Sequence, residues 1–483
     1  MRIARLWEYY MNEKAIIIKN RVNAFVHTPA YIFATGAFTL LFHMLAWDMA
    51  GVIVILTVIG LAALFVDDYR GWLTPFANLI FVVSTQHSPG YGDPSNYFGR
   101  AEILYPILAV GAAAFLCVLY RVIKERKNLK DGKSYLPFTI MAVSMLIAGI
   151  GKQYYLDSVI VCLVIIACLF GFYVVFTATV KNDGELVDYI ATLLSELALV
   201  AALEIVFVYV LNYASGGSFG TIMGDDGKPV EWKMRIVTGW GVSNIAGEMI
   251  AMFLPFCFYK AEKSKYAVLY WLSALFCSAC IILTLSRTGM LVGGAIAIFF
   301  CVRTLVKRKE KRLSFGIILG VCLLAACAAA FAFMRKTDFS VIEYLKNAFT
   351  GRDVSNGRYN CWKYRIEYFL ESPVLGVGFA RRFMESNAVG FTLSEFAHNY
   401  VLDALGSAGI IGVIAMCAVI YFQSTVYARP SECRLYTLTF FIANLAIGLL
   451  DISYCMPYVL YFYALVTVAV EKLSPKVSGY EKN

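Results

Sequence analysis

Charge is scarce in this chain, and histidine is scarcer still. Asp, Glu, Lys and Arg make up 16% of the 483 residues, and there are four histidines. That balance, with 60% hydrophobic residues, lies far outside the soluble globular range. Strand-length alternation of apolar and polar residues is missing, which argues against a membrane β-barrel. No nucleotide-binding glycine loop and no internal repeat appear, so neither ATP-driven work nor an inverted-repeat transporter is indicated. A cleavable signal peptide is also missing. Residues 1–29 instead mix Ile3, Leu6, Trp7, Tyr10 and Ile17 with Arg2, Arg5, Lys14, Lys19 and Arg21, the pattern of a cytoplasmic interfacial helix. The thirteen cysteines include no paired spacing in a polar loop. Cys277 and Cys280 have CxxC spacing but fall mid-run, where packing is the expected role. Cys361 is the single cysteine of the long polar loop, so no internal disulfide staples it.

What is present is a succession of helix-length apolar runs. A bilayer core of about 30 Å takes roughly 20 helical residues. Fourteen spans are read, at about 31–47, 49–66, 71–86, 101–122, 135–150, 157–177, 187–211, 244–259, 266–284, 287–303, 313–333, 400–421, 434–450 and 454–470. The third and fifth are short. The expected fold is all-α: a polytopic integral membrane protein of about 14 transmembrane helices with one long extracytoplasmic loop. Its parts are a cytoplasmic amphipathic segment (1–30), helices 1–11 (31–334), the loop (335–398), helices 12–14 (399–471) and a cytoplasmic tail (472–483).

The net charge of +9 is an orientation signal. With a cytoplasmic N-terminus, 27 of the 42 Lys/Arg fall on cytoplasmic segments; nine of the other 15 lie in the long loop, where the bias rule has little force. The positive-inside rule therefore places both termini in the cytoplasm. No basic face interleaved with stacking aromatics occurs on a soluble segment, so nucleic acid is not an expected partner.

The outward face then gathers the connections 86–100 and 212–240, the corner Leu285–Arg287, and the loop from Arg335 to His398. A loop this long between spans is uncommon unless it has a function. Arg287 begins an apolar run, where an arginine is costly unless it meets a cavity or partner; Gly289, Gly293 and Gly294 follow and allow close helix approach. The plainer reading of Arg287 is an arginine snorkelling to headgroups. Arg235 precedes the span that begins near Asn244, and for a lone arginine an ordinary loop cation is the favoured reading. Arg352 and Arg358 flank Asp353–Gly357. Trp362, Ile366 and Phe369 then recur at helical spacing, as on a short amphipathic helix lying on the membrane side. Ser372-Pro373 ends it, and Gly376-Val377-Gly378 makes a tight turn.

His398 closes the loop where the next span begins. His87 is the other outward histidine; His27 is cytoplasmic and His43 lies in the first span. A lone boundary histidine is more often structural, but four outward arginines change the weighting. Guanidinium groups grip phosphates with two parallel hydrogen bonds. An imidazole can take a proton from an acceptor hydroxyl. Together they suit transfer from a diphosphate leaving group. The intramembrane carboxylates Glu196, Glu204, Glu248 and Asp403 read either as partners of arginines and polar neighbours or as a proton relay; pairing is favoured. On the outward face only Asp225-Asp226 adjoin, so neither a metal nor a cofactor is expected.

These residues carry a resemblance. Arg235-Ile236-Val237-Thr238-Gly239 with Asn244, Ser286-Arg287-Thr288-Gly289 with Leu291, Gly357 to Trp362 followed by Ser372 to Phe379, and His398-Asn399 with Gly409 resemble, in order, the motifs of the O-antigen ligase/polymerase superfamily. The likeness covers roughly residues 235–412; before that the chain is similar only as a series of spans. The resemblance implies a fold like that of the type C membrane glycosyltransferases. It implies an inverting, metal-independent transfer of glycan from an undecaprenyl-diphosphate carrier at the bacterial plasma membrane. By the same likeness His398 is the base, and Arg287 with one or more of Arg235 and Arg358 binds the diphosphate. Arg352 has no counterpart in the pattern and is added for its proximity. The expected partners are a lipid-linked glycan donor, a glycan acceptor and the bilayer, with a polysaccharide flippase and a chain-length regulator also admitted. Polymerisation of repeat units is the preferred activity. A ligase acting on another acceptor, and a transporter or flippase, stay open.

Overall fold

Wherever the apolar runs are described, they fold as helices. A computed structural model describes residues 17–45, 47–83, 101–214, 221–223, 229–231, 237–239, 241–307, 312–322, 324, 358–385, 396–451 and 456–473, and structural statements below concern these residues. In chain order the helices are α1 (Ile17–Val26), α2 (Pro29–Met44), α3 (Asp48–Phe65), α4 (Arg70–Val83), α5 (Ala101–Lys124), α6 (Tyr135–Ile147), α7 (Tyr155–Thr179), α8 (Leu186–Ala214), α9 (Ser243–Lys263), α10 (Ala267–Leu283), α11 (Arg287–Lys307), α12 (Arg312–Cys322), α13 (Arg358–Glu371), α14 (Arg381–Glu385), α15 (Tyr400–Tyr427), α16 (Arg434–Leu450) and α17 (Pro457–Leu473). Two short antiparallel pairs depart from an all-helical reading. They are β1 (Thr221–Met223) with β2 (Pro229–Glu231), and β3 (Val237–Thr238) with β4 (Gly241–Val242).

By length and composition six helices can cross a membrane, or up to seven if the pair Ile17–Val26 and Pro29–Met44, bent by 79°, is one span. That is fewer than the fourteen runs. The reason is local: α4 and α6 have 14 and 13 residues, and α9 carries Glu248, Lys260, Glu262 and Lys263. The sharp bend after α1 sits at a built helix start, where Thr28 caps α2 through the Tyr31 amide and Pro29 takes the first turn. Proline is tolerated there because that amide has no helical partner.

The core forms around α9, whose residues are buried from Ile245 to Glu262. It packs against α8, α10, α11 and α16. A second group sets α15 against α6, α13, α16 and α17. The groups meet at α16, and the C-terminal end of α16 is where the candidate site forms. Cys277 and Cys280 are buried free thiols, as packing residues would be.

Candidate active site

His398 stands one residue before the helix cap of α15. Asn399 is extended, and its side-chain oxygen accepts from the amides of Val401 at 3.0 Å and Leu402 at 3.1 Å. These are orphan donors that a helix start must satisfy. To deliver the chain into that cap, His398 adopts φ 52°, the left-handed region. Among the described residues only one other non-glycine residue does so, Leu285 at φ 58°, two residues before Arg287. Both outliers thus fall at corners singled out by sequence. Strained backbone persists only where its surroundings over-determine it.

The His398 surroundings do so. His398 Nδ1 lies 2.7 Å from Asp451 Oδ1, and Asn399 Nδ2 donates to Leu449 O at 3.0 Å. Asp451 follows α16. Its other oxygen accepts from Arg358 Nη2 at 2.8 Å, and Arg358 also donates to the Leu450 carbonyl. Burial alone would raise the Asp451 carboxyl. The hydrogen bond from His398 and the charges of His398 and Arg358 outweigh it and hold the group at about 2. Glu248 on α9 is buried beside this group, close enough to act on Asp451 electrostatically. An ionised carboxylate only accepts, so Nδ1 is the protonated nitrogen that meets it, and in the uncharged form of the ring the lone pair is on Nε2. The His398 side chain is 20% exposed and that of Asp451 6%. The histidine is therefore the reachable member of the pair.

A second buried pair holds the same turn from below. Arg365 on α13 reaches Asp403 on α15 at 2.8 Å, both side chains being 2% exposed, and its Nη1 is 3.2 Å from Ser407 Oγ. Asp403 accepts from the Ala397 amide with both oxygens, at 3.1 and 3.1 Å. Trp362 Nε1 donates to Ala397 O at 2.8 Å. The inward line of α13 is thus Arg358, Trp362, Arg365 and Tyr368, whereas Ile366 is 47% exposed. The Trp362–Ile366–Phe369 face read from apolar spacing is only partly the packed one, because the ion pair rotates Arg365 inward.

Helix α15 is broken at Gly409, with φ 64° and ψ −157°. The turn after α13 fills the break. Ile410 N donates to Pro373 O at 2.9 Å, Gly378 N to Ser407 O at 2.8 Å, and Val377 N to Gly406 O at 3.2 Å. A Cβ at Gly376 would fall 2.3 Å from the Ser407 backbone, and one at Gly409 2.5 Å from Val374. Irregular backbone at membrane depth requires such internal satisfaction. The glycines at 376 and 409 therefore act as a matched pair.

Arg287 begins α11 in a corner seated on α9. Ser286 Oγ accepts from Gly289 N at 3.0 Å, and a Cβ on Gly289 would lie 3.0 Å from the Gly247 backbone. Tyr209 on α8 donates to Leu283 O at 2.8 Å. The corner thus abuts Gly247, next in sequence to Glu248, on the end of α9 that faces Asp451. Gly293 also packs tightly, but Gly294 has open space around it and does not mediate close approach. Arg235 and Arg352 lie outside the described residues.

Beside His398 a cavity of about 200 Å³ opens between α6, α7, α15, α16 and α17. Its wall includes Phe396, Tyr400 and Asp403 at the His398 end and Met416 and Ile420 at the other, with Phe138 and Leu460 across. From Tyr400 to Ile420 a helix rises about 30 Å at most.

The structure therefore brings together His398, Arg358 and the surroundings of Arg287. It adds Asp451, Arg365 and Glu248 in roles that the sequence reading did not give them. Asp451 could have been found by the cost of a lone carboxylate between the runs 434–450 and 454–470.

Residues 272–417 match the family described as O-antigen ligase. The matched range includes Arg287, Arg352, Arg358 and His398; Arg235 and Asp451 fall outside it. No curated protein matches the chain.

Proposed function

We propose, starting from the chain's place in the O-antigen ligase/polymerase superfamily, that this membrane protein is a glycosyltransferase. In this reading it polymerises undecaprenyl-diphosphate-linked repeat units on the outer face of the bacterial plasma membrane. The observation that carries this reading is the His398–Asp451 pair at 2.7 Å. Asp451 fixes the ring and its tautomer, leaving Nε2 to take the proton of an acceptor sugar hydroxyl. The freed oxygen attacks the anomeric carbon from the face opposite the diphosphate. The carbon–oxygen bond to the diphosphate breaks, and the configuration inverts. In this scheme Arg287, with Arg235 and Arg358, binds the diphosphate and stabilises the charge that develops on it, as preorganised donors do in such reactions, and Arg352 is added for its proximity in sequence.

Arg358 has a double duty in this scheme. Its ion pair with Asp451 balances the carboxylate, and its side chain stays 21% exposed, within reach of an anionic substrate. The apolar cavity beginning at Phe396 and Tyr400 suits the lipid part of a carrier whose head lies at His398. No step in the scheme calls for a metal, and transfer is expected to continue in chelator.

A second reading is transfer of the glycan to a different acceptor, which the description of the matched family as O-antigen ligase favours. The deciding experiment is reconstitution of the full chain in liposomes with purified lipid-linked repeat units. Longer lipid-linked chains support the polymerase. Transfer only to a separate acceptor supports the ligase. Movement of the lipid across the bilayer without a new glycosidic bond would overturn both.

A further inference from the structure

A second histidine lies between two carboxylates, away from the His398 centre. His43, one residue from the end of α2, places Nδ1 2.7 Å from Asp48 Oδ1 and Nε2 2.8 Å from Glu204 Oε1. Asp48 opens α3 and Glu204 lies on α8. All three side chains are largely shielded, at 15%, 10% and 2% exposed. A neutral imidazole donates from one nitrogen only. With a carboxylate oxygen at each nitrogen, the assembly holds one proton more than a neutral ring and two carboxylates. It is a closed, charge-assisted link between three helices.

The link ends on a backbone amide. Gly239 N donates to both Glu204 oxygens, at 2.8 and 2.8 Å. Phe81 forms the other wall of the seat. A Cβ on Gly239 would fall 2.1 Å from its ring, and the His43 ring meets Phe81 edge-on at 6.1 Å between centroids. Only glycine fits between the ring and the carboxylate. Gly239 is the turn of the β3–β4 hairpin, which pairs Val237 with Val242 and Thr238 with Gly241. The hairpin runs directly into α9, the helix that brings Glu248 to Asp451.

We propose that His43, acting through Glu204, is a positioning residue for the segment that carries Arg235. Arg235 stands four positions before Gly239 in sequence, so the chain that enters the seated hairpin is the chain that carries this arginine. The same seat sets the start of α9 against the His398 centre. Neither His43 nor Glu204 touches substrate in this scheme. The inference rests on the reading that the protein transfers a glycan from a diphosphate carrier, because it is through donor binding that the seat matters to the reaction.

The test uses the full chain in liposomes, with donor KM and kcat measured separately and hydrogen exchange followed at residues 237–242. Glu204→Ala is expected to speed exchange of the hairpin amides. It should also raise donor KM about tenfold, the worth of one charge-assisted hydrogen bond, while kcat changes little. Glu204→Gln keeps an acceptor for the Gly239 amide and should restore most of both. His43→Ala should resemble Glu204→Ala more weakly. In an Arg235→Ala background, Glu204→Ala should raise KM no further. Equal KM in wild type and Glu204→Ala despite faster exchange overturns the proposal, and so do effects of Arg235→Ala and Glu204→Ala that multiply. If Glu204→Ala does not fold, His43→Ala carries the same comparison at smaller amplitude, with Glu204→Gln as the near-wild-type control. A wild-type protein without transfer activity rejects the glycosyltransferase reading instead, and unchanged exchange in Glu204→Ala rejects the seat by itself.

Discussion

His398 and Asp451 stand 53 residues apart in sequence, and their side chains meet at 2.7 Å. The contact joins the start of α15 to the end of α16 and turns a boundary histidine into an oriented one. If Nε2 is the base, removing the imidazole should lower kcat by about 10²- to 10⁴-fold, the usual contribution of a positioned base. His398→Ala is therefore expected to abolish measurable polymer while the protein still inserts and purifies normally. Asp451→Asn should also lower kcat strongly, because an amide can face Nδ1 with its oxygen or its nitrogen and no longer selects the tautomer. Donor KM should move less than kcat in both variants. Near-wild-type kcat in His398→Ala would sink the assignment.

The state of Asp451 also predicts an acid response. Its carboxyl is held at about 2, below the ordinary 3.8. A depressed carboxyl contributes stability that is complete above the unfolded value and is lost as pH falls through the folded one. Between pH 8 and pH 5 this carboxylate should therefore keep its charge. Infrared spectra of wild type minus Asp451→Asn are expected to show no protonated-carboxyl band from Asp451 at pH 5, and to develop one only below the ordinary carboxylate range. A band already present at pH 5 would contradict the arrangement with His398 and Arg358.

His398 was legible in the sequence because it combines three local signals: a histidine, an Asn cap beside it and an apolar run beginning at once. Asp451 was not, because nothing local in Leu449-Leu450-Asp451 says which distant side chain it meets. Arg365 was hidden for a different reason. Apolar spacing drew attention to Trp362, Ile366 and Phe369, yet the buried charge pair with Asp403 decides how α13 is rotated. Helix positions followed the apolar runs closely. Among the described residues six helices, or up to seven, meet the length and composition of a full crossing, and runs such as α4 and α6 are helical but shorter. The tight turn at Gly376–Gly378 was readable as a turn, but its destination in the break of α15 depends on tertiary contact alone.

The Arg365–Asp403 pair should be costly to break from one side. Removing one member of a buried pair leaves an uncompensated charge, at about 3–5 kcal/mol. Arg365→Ala is expected to lower the unfolding midpoint in detergent markedly and to reduce activity by freeing the Ala397–His398 turn. Arg365→Met combined with Asp403→Asn removes both charges and keeps an acceptor for the Ala397 amide. The double variant should be more stable than Arg365→Ala. A double variant at least as unstable as Arg365→Ala would show that the charges are not coupled as the geometry indicates.

Arg287 tests whether its corner binds an anion or only anchors a helix. A guanidinium presents two parallel donors to a phosphate, and an ammonium acts as a point charge. Arg287→Lys retains the positive charge at the start of α11, so a purely interfacial role predicts little change. A diphosphate-binding role predicts a loss of about 1.5–3 kcal/mol, the worth of a hydrogen bond to a charged group, read as a tenfold or greater fall in kcat/KM. Equal kcat/KM for wild type and Arg287→Lys would leave the corner as a structural element only.

Gly409 offers the sharpest separation of packing from chemistry. Its backbone is left-handed, and a Cβ there would sit 2.5 Å from the Val374 carbonyl group. Gly409→Ala must therefore either straighten α15 or expel the 372–378 turn from the break. Either response removes hydrogen bonds to Pro373, Ser407 and Gly406 from a place where water cannot replace them. The variant is expected to fall in thermal stability and to lose activity together with it. Gly294→Ala is the matched control, because nothing lies within 4 Å of a Cβ at Gly294; alanine there favours the helix by up to about 1 kcal/mol. If Gly409→Ala proves as stable and as active as Gly294→Ala, the turn is not holding the break of α15, and His398 must owe its placement to the Asp451 and Asp403 contacts alone.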